Sequence, residues 1–90
     1  MEIVYILRCA DGSLYTGYTN DLEKRWNAHV LGRGARYTRS HPPVAIAAAW
    51  QTETKSDALR LEYRIKRLTR EQKEDLLTEG LPEEAAVRIR

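Results

Sequence analysis

The sequence holds a single cysteine, a single methionine, three prolines and no phenylalanine in ninety residues. One Cys9 excludes an internal disulfide and the multi-thiol site of a structural zinc; burial as a small hydrophobe in a strand is its simplest place. No apolar run approaches the roughly 18 residues that a membrane span needs. No basic n-region followed by an apolar stretch marks a signal peptide. These absences predict a reducing, cytoplasmic setting without a membrane partner. Linkers, repeats and low-complexity segments are also missing. With 42% hydrophobic residues and a net charge of +2, wholesale disorder is excluded. The expectation is one domain over residues 1–90, with its core at about 2–77 and a short C-terminal extension at 78–90.

Charge of one sign is lacking in a telling place. From Arg25 to His41 there is no acid, yet the segment carries Arg25, Arg33, Arg36, Arg39, His29 and His41. Eleven of the fifteen basic residues are arginine, whose planar fork suits phosphate oxygens. Net charge is +5 through Arg70 and −3 from Glu71 onward. A basic stretch of this kind is either a solvated loop or a nucleic-acid contact surface.

The elements follow from patterning. Glu2–Arg8 and Leu14–Thr19 are rich in β-branched and aromatic residues around the turn signal Ala10-Asp11-Gly12-Ser13. A two-residue turn and a three-residue loop with left-handed Gly12 both suit that signal. In the three-residue case paired positions sum to 22, so Tyr5 faces Gly17, Leu7 faces Tyr15, and both tyrosines share a face. The two-residue turn puts Tyr5 and Tyr15 on opposite faces. A helix then starts at Asn20, with Glu23 completing a capping-box pattern. Its apolar stripe is Leu22, Trp26 and Val30, Gly32 ends it, and Arg25 and His29 lie at the rim of its buried side. Leu31–His41 reads as a basic loop. Pro42-Pro43 opens a largely apolar third strand over about Val44–Gln51, as a central strand would be. A second helix over about Lys55–Leu68, capped by Thr54 or Ser56, carries the stripe Ala58, Leu61, Ile65, Leu68, bordered by Glu62. Thr69 with Gln72 caps a third helix through about Leu77. Pro82 suits the first turn of a last helical segment. The predicted class is α/β (α+β): a small, three-stranded, mainly antiparallel sheet flanked by helices, in β-β-α-β-α-α order.

Taken singly, the polar residues of this scaffold are unremarkable: tyrosines form strands, and Asp21–Arg25 and Glu62–Lys66 suit helix ion pairs. Their joint spacing is more specific. Ile3-Val4-Tyr5 and Tyr15-Thr16-Gly17 are followed by a helix with Arg25 and then His29 one turn later. Gly34-Ala35-Arg36-Tyr37-Thr38 and Glu62 come after. In this set the chain resembles the GIY-YIG nuclease superfamily over roughly residues 2–77. It is most similar to the small stand-alone bacterial (YhbQ-like) members, and is similar also to the nuclease domain of Slx-type structure-specific endonucleases.

The resemblance implies a divalent-metal-dependent endonuclease that hydrolyses DNA phosphodiesters, structure-selective and linked to repair or recombination. It implies Tyr5, Tyr15, Arg25, His29 and Glu62 as catalytic residues. Glu62 would be the ligand of one Mg²⁺ or Mn²⁺, since a hard ion needs only one carboxylate plus waters. Arg25 would hold the scissile phosphate. Tyr15 or Tyr5 would help take a proton from the attacking water, with His29 as the alternative base or a phosphate donor. Gly17 would leave room for the nucleic-acid backbone, and Arg33, Arg36, Arg39 and His41 would contact phosphates. RNA is an alternative substrate, because phosphate contacts do not distinguish it from DNA. No small-molecule cofactor is implied, and a protein partner for targeting is a further expectation.

Three departures stand out. Ile3 and Val4 replace Gly and Ile of the first signature, and Thr16 replaces the central Ile of the second. A late asparagine found in many members is missing, with Gln72 and Lys66 the candidates for its place. The competing reading is a non-catalytic nucleic-acid-binding module that retains the fold.

Overall fold

A computed structural model describes residues 1–81 and 86–90. The chain runs β1 (Glu2–Cys9), β2 (Leu14–Thr19), α1 (Leu22–Val30), α2 (Arg36–Ser40), β3 (Pro43–Thr52), α3 (Lys55–Lys66), α4 (Arg70–Glu79) and β4 (Ala86–Arg88). The strands form one antiparallel sheet in the order β2-β1-β3-β4.

The hairpin takes the three-residue loop. Gly12 sits at φ 85°, and Tyr5 pairs with Gly17 and Leu7 with Tyr15. Cys9 is buried and free, as its strand position implies. β3 lies between β1 and β4, which explains its run of small apolar residues: Ala48, Ala49 and Trp50 are buried.

The sheet has four strands where three were expected. Ala86, Val87 and Arg88 pair with Thr52, Gln51 and Trp50 at the outer edge of β3. Three residues are too short to show strand alternation. Tertiary anchors hold them instead: Arg88 Nη1 donates to the Leu77 carbonyl at 2.9 Å, and its guanidinium lies over the Trp50 ring at 5.8 Å. The helical turn expected from Pro82 lies outside the described residues.

Helix α1 starts one residue later than expected. Asp21, not Asn20, is the N-cap and accepts the Lys24 N–H at 3.1 Å. Thr19 Oγ1 accepts the Asp21 N–H and fixes this register. The expected apolar stripe is also corrected. Val30 is 54% exposed, and the buried place belongs to His29, 1% exposed. At about 100° per residue, His29 lies only about 20° from the Leu22 meridian and Val30 about 80°. Gly32 ends the helix at φ 74°; its N–H donates to the His29 carbonyl, and that of Arg33 donates to the Ala28 carbonyl, the paired bonds of a glycine C-terminal cap.

The basic segment is not all loop, because residues 36–40 form α2. Ala35 is its extended N-cap, and the Thr38 hydroxyl donates back to the Ala35 carbonyl at 3.0 Å. Helix α3 is capped by Thr54, and α4 carries the expected Thr69–Gln72 box.

The sheet has two covered faces. Val4, Ile6, Ala48 and Trp50 pack with Ala58, Leu61 and Ile65 of α3 and Leu76 of α4. Arg8 makes a forked pair with Glu74 (3.1 and 2.8 Å) that ties α4 to β1. On the other face Ile3, Tyr5, Leu7 and Ala49 pack with Tyr15 and with Leu22 and Trp26 of α1.

Candidate active site

Strand period two puts Tyr5 and Tyr15 on the α1 side of the sheet. There Gly17 decides where the Tyr5 ring goes. A Cβ on Gly17 would overlap the Tyr5 hydroxyl and stand 3.1 Å from Tyr15 Cε2. Without it, the phenol lies flat across β2, the edge strand. Tyr5 is 1% exposed, so its hydroxyl must find protein partners, and α1 supplies two. Tyr5 Oη stands 2.7 Å from His29 Nε2, and Arg25 Nε donates to it at 3.3 Å. The i, i+4 spacing of Arg25 and His29 sets them one above the other over the phenol.

His29 is wedged among rings. The Tyr5 and Tyr15 centroids stand 5.7 and 5.4 Å from it, both edge-on. Its far nitrogen, Nδ1, lies 2.7 Å from Thr38 Oγ1. Gly34 covers the ring: a Cβ there would stand 2.7 Å from His29 Cγ. Thr38 and Gly34 thus belong to the site, although sequence reading gave neither a role. Both lie in the Gly34–Thr38 stretch that carries part of the resemblance, but their place at the ring depends on α2 folding back over α1.

The electrostatics follow from this burial. Burial, with the Arg25 charge nearby, lowers the His29 pKa to about 4, so the ring is neutral at pH 7. Burial pushes Tyr5 up to about 12, against the Arg25 hydrogen bond that pulls it down. The Tyr5 hydrogen bond in turn raises the pKa of Arg25, and the Tyr15 hydroxyl adds to that.

The expected residues are not all brought together equally. Tyr5, Tyr15, Arg25 and His29 touch. Glu62 comes from α3, which packs on the other face; the Tyr5 phenol feels its charge, and it pairs with Lys66 at 3.3 Å. His29 has both nitrogens turned to protein groups, so it reaches a phosphate only through Tyr5. His41 is similarly engaged. It stacks on Tyr37 at 4.0 Å, its Nδ1 donates to the Tyr37 carbonyl, and its Nε2 stands 3.8 Å from Asp11. Arg33, Arg36 and Arg39 are exposed, and none has an acid partner among the described residues.

The candidates for the missing asparagine are both occupied, Gln72 by the cap of α4 and Lys66 by Glu62. Lys73 was not foreseen. It lines a cleft of about 200 Å³ with Ser13, Leu14, Tyr37, Leu68 and Arg70. Burial and the Lys66 charge lower its pKa, and no described acid pairs with it. Tyr37 links this cleft to the site by stacking on Tyr15 at 5.8 Å.

No group of three or more His, Cys, Asp or Glu able to hold a metal occurs among the described residues. Glu62 is a lone hard carboxylate, without thiolate or imidazole beside it. That donor set fits a hydrated Mg²⁺ or Mn²⁺ completed by water and phosphate oxygens, and not zinc.

Comparison with known proteins shows the family of this chain. The family model of the GIY-YIG catalytic domain matches residues 1–75. A UPF0213 protein of Bacillus velezensis is 48% identical over 86 residues, covering 96% of this chain and 87% of that one. A UPF0213 protein of Halobacterium salinarum is 49% identical over 76 residues, covering 84% and 99%. The solution NMR structure of the UPF0213 protein BH0048 from Bacillus halodurans superposes with a TM-score of 0.58 at 46% identity, over 91% of this chain and 89% of that one.

Proposed function

The chain belongs to the GIY-YIG catalytic domain family, and from that premise we propose that it is a divalent-metal-dependent endonuclease. Its substrate is DNA of branched or flapped structure, met in repair or recombination. The observation that carries this reading is the Arg25–Tyr5–His29 hydrogen-bonded set held over the gap at Gly17. It places a half-exposed cation, a buried phenol and a buried neutral base side by side next to the edge strand β2.

Each side chain has a part in the in-line attack of water on a phosphodiester. Arg25 spends Nε on Tyr5 and offers its terminal nitrogens to the non-bridging oxygens. Tyr15 lies beside it and orients the same phosphate. Tyr5 takes the proton of the attacking water as it gives its own to His29 Nε2. The two transfers must be coupled. With pKa values of about 12 and about 4, passing the proton from Tyr5 to His29 alone costs on the order of 11 kcal/mol. Coupled transfer never forms a free phenolate. The proton ends on His29, whose protonation at pH 7 costs on the order of 4 kcal/mol, and the negative charge left on the attacking oxygen passes onto the phosphoryl group beside Arg25. Glu62 would hold the divalent cation, which when bound neutralises charge developing on the phosphoryl and leaving oxygens. Arg33, Arg36, Arg39 and Lys73 hold flanking phosphates. With no recognition helix among the described residues, they favour shape over sequence.

The test is cleavage of labelled duplex, single-stranded, flapped and junction DNA, and of RNA, at low salt with Mg²⁺, Mn²⁺ or EDTA. Cutting that needs the metal, is strongest on flaps or junctions and is lost in Glu62→Gln, with DNA binding retained, supports the reading. Full activity in Glu62→Gln overturns the metal assignment. Binding without cutting in the native protein replaces the enzyme with a nucleic-acid-binding module.

A further inference from the structure

Thr38 lies on α2, away from the signature tripeptides, yet its hydroxyl decides a proton position at the centre of the site. Its one hydroxyl proton goes to the Ala35 carbonyl at 3.0 Å, which also takes the Arg39 N–H at 3.3 Å; donation to His29 Nδ1 instead would leave the buried Tyr5 hydroxyl facing two donors, Nε2–H and Arg25 Nε–H. Toward His29 Nδ1, 2.7 Å away, Thr38 Oγ1 then has only lone pairs left. Nδ1 must therefore carry the imidazole proton. A neutral imidazole has only one, so Nε2 is bare. The contact of 2.7 Å between Nε2 and Tyr5 then runs in one direction, with the phenol donating. Arg25 Nε–H, 3.3 Å from the phenol oxygen, completes a chain in which each donor has one acceptor.

We propose that Thr38 is a positioning residue that fixes His29 as the Nδ1–H tautomer, so that Nε2 is the acceptor for the Tyr5 proton. The opposite tautomer would place a hydrogen on Nε2 facing the phenol. Tyr5 would then have to accept from both His29 and Arg25, and its own proton would have nowhere to go but toward the incoming water. The coupled transfer would be blocked with every side chain still in place. Gly34 serves the same end: by lacking a Cβ it lets the α2 segment close on the ring. The chain Thr38–His29–Tyr5 is buried throughout, Thr38 at 2% and the other two at 1% exposure, so water does not compete for the ring nitrogens.

The effect on rate rests on the proposed role of Tyr5; the tautomer does not, and it is read without any substrate. The full chain, labelled with ¹⁵N-histidine, is examined by NMR at neutral pH, with His41→Gln assigning the two rings. The expected spectrum shows His29 with a protonated, pyrrole-type Nδ1 and a pyridine-type Nε2. In Thr38→Val, which keeps the shape and removes the hydroxyl, that signature weakens in favour of Nε2–H, and Thr38→Ser restores it. The kcat for cleavage falls in Thr38→Val by about 10²–10⁴, the range of a lost or misdirected base, with KM little changed, and recovers in Thr38→Ser. A native spectrum with the proton on Nε2 overturns the proposal, as does a Thr38→Val spectrum with the native tautomer. A shifted tautomer with native kcat upholds the part assigned to Thr38 and overturns the proton route through Tyr5 instead.

Discussion

On the α3–α4 side of the sheet, β1 contributes Val4 and Ile6, and their buried neighbours are almost all apolar. On the α1 side the same strand contributes Tyr5, whose hydroxyl meets a histidine and an arginine. Both faces are covered by helices, but they are satisfied differently. The first depends on area and fit, so any side chain of the right volume serves. The second buries three polar side chains in series, Thr38, His29 and Tyr5, and ends them on the half-exposed Arg25; a buried polar group is tolerated only when paired. Loss of one partner there strands the next, so the α1 face is the one where single atoms matter.

Exchanging parts between the faces tests that contrast. Arg25→Ala should lower cleavage by about 10²–10³ and leave the thermal midpoint within a few degrees; a tenfold or smaller loss makes Arg25 an ordinary helix residue. Ile65→Ala, on the apolar face, should do the reverse. It should cost about 2–5 kcal/mol in urea unfolding while the folded fraction cuts at the native rate. A fall in intrinsic rate would mean that the faces are coupled through β1.

Acid provides a graded probe of the α1 face. His29 holds a pKa of about 4 when folded, against about 6.5 when free. The unfolded chain thus binds a proton that the folded one refuses. Stability is full above about pH 6.5 and falls as pH drops toward 4, by an amount on the order of 3 kcal/mol from this one group. Urea midpoints measured between pH 7 and 4 should show that fall. His29→Asn should remove it, and a slope unchanged in that variant would assign the acid loss elsewhere.

The smallest effect has the opposite sign. Thr16 faces the apolar side, paired across from Ile6, and its Oγ1 is buried with no protein partner among the described residues. Thr16→Val should therefore stabilise by about 1 kcal/mol, the cost of an unmatched hydroxyl. Destabilisation would reveal a partner, such as a bound water, for that oxygen.

Much was legible before any coordinates. The hairpin itself, the buried Cys9, the stripe Ala58–Leu61–Ile65 and the Thr69 cap rest on local chemistry, and local chemistry is written along the chain; the hairpin register was narrowed to two choices, and the structure takes the three-residue one. β4 was not, because its three residues are held by Arg88 reaching Leu77 and Trp50. His29 was placed at the rim because it is polar, although the helical repeat puts it nearer than Val30 to the Leu22 line. Hydropathy misled there; the partners that make its burial tolerable come from Tyr5 and Thr38, 24 and 9 residues away.

The sequence by itself determined the family, the β-β-α-β-α-α framework to which the structure adds α2 and β4, and the residue types of the site. Strand period, helix period and cap chemistry act between near neighbours and need no third dimension. Only the tertiary structure decided that Tyr5 lies across Gly17, that His29 is sealed beneath Gly34, and that Thr38 faces its ring. These are contacts between segments that meet only when α1 and α2 close over the sheet. Proton positions follow from who meets whom, so they too belong to the fold.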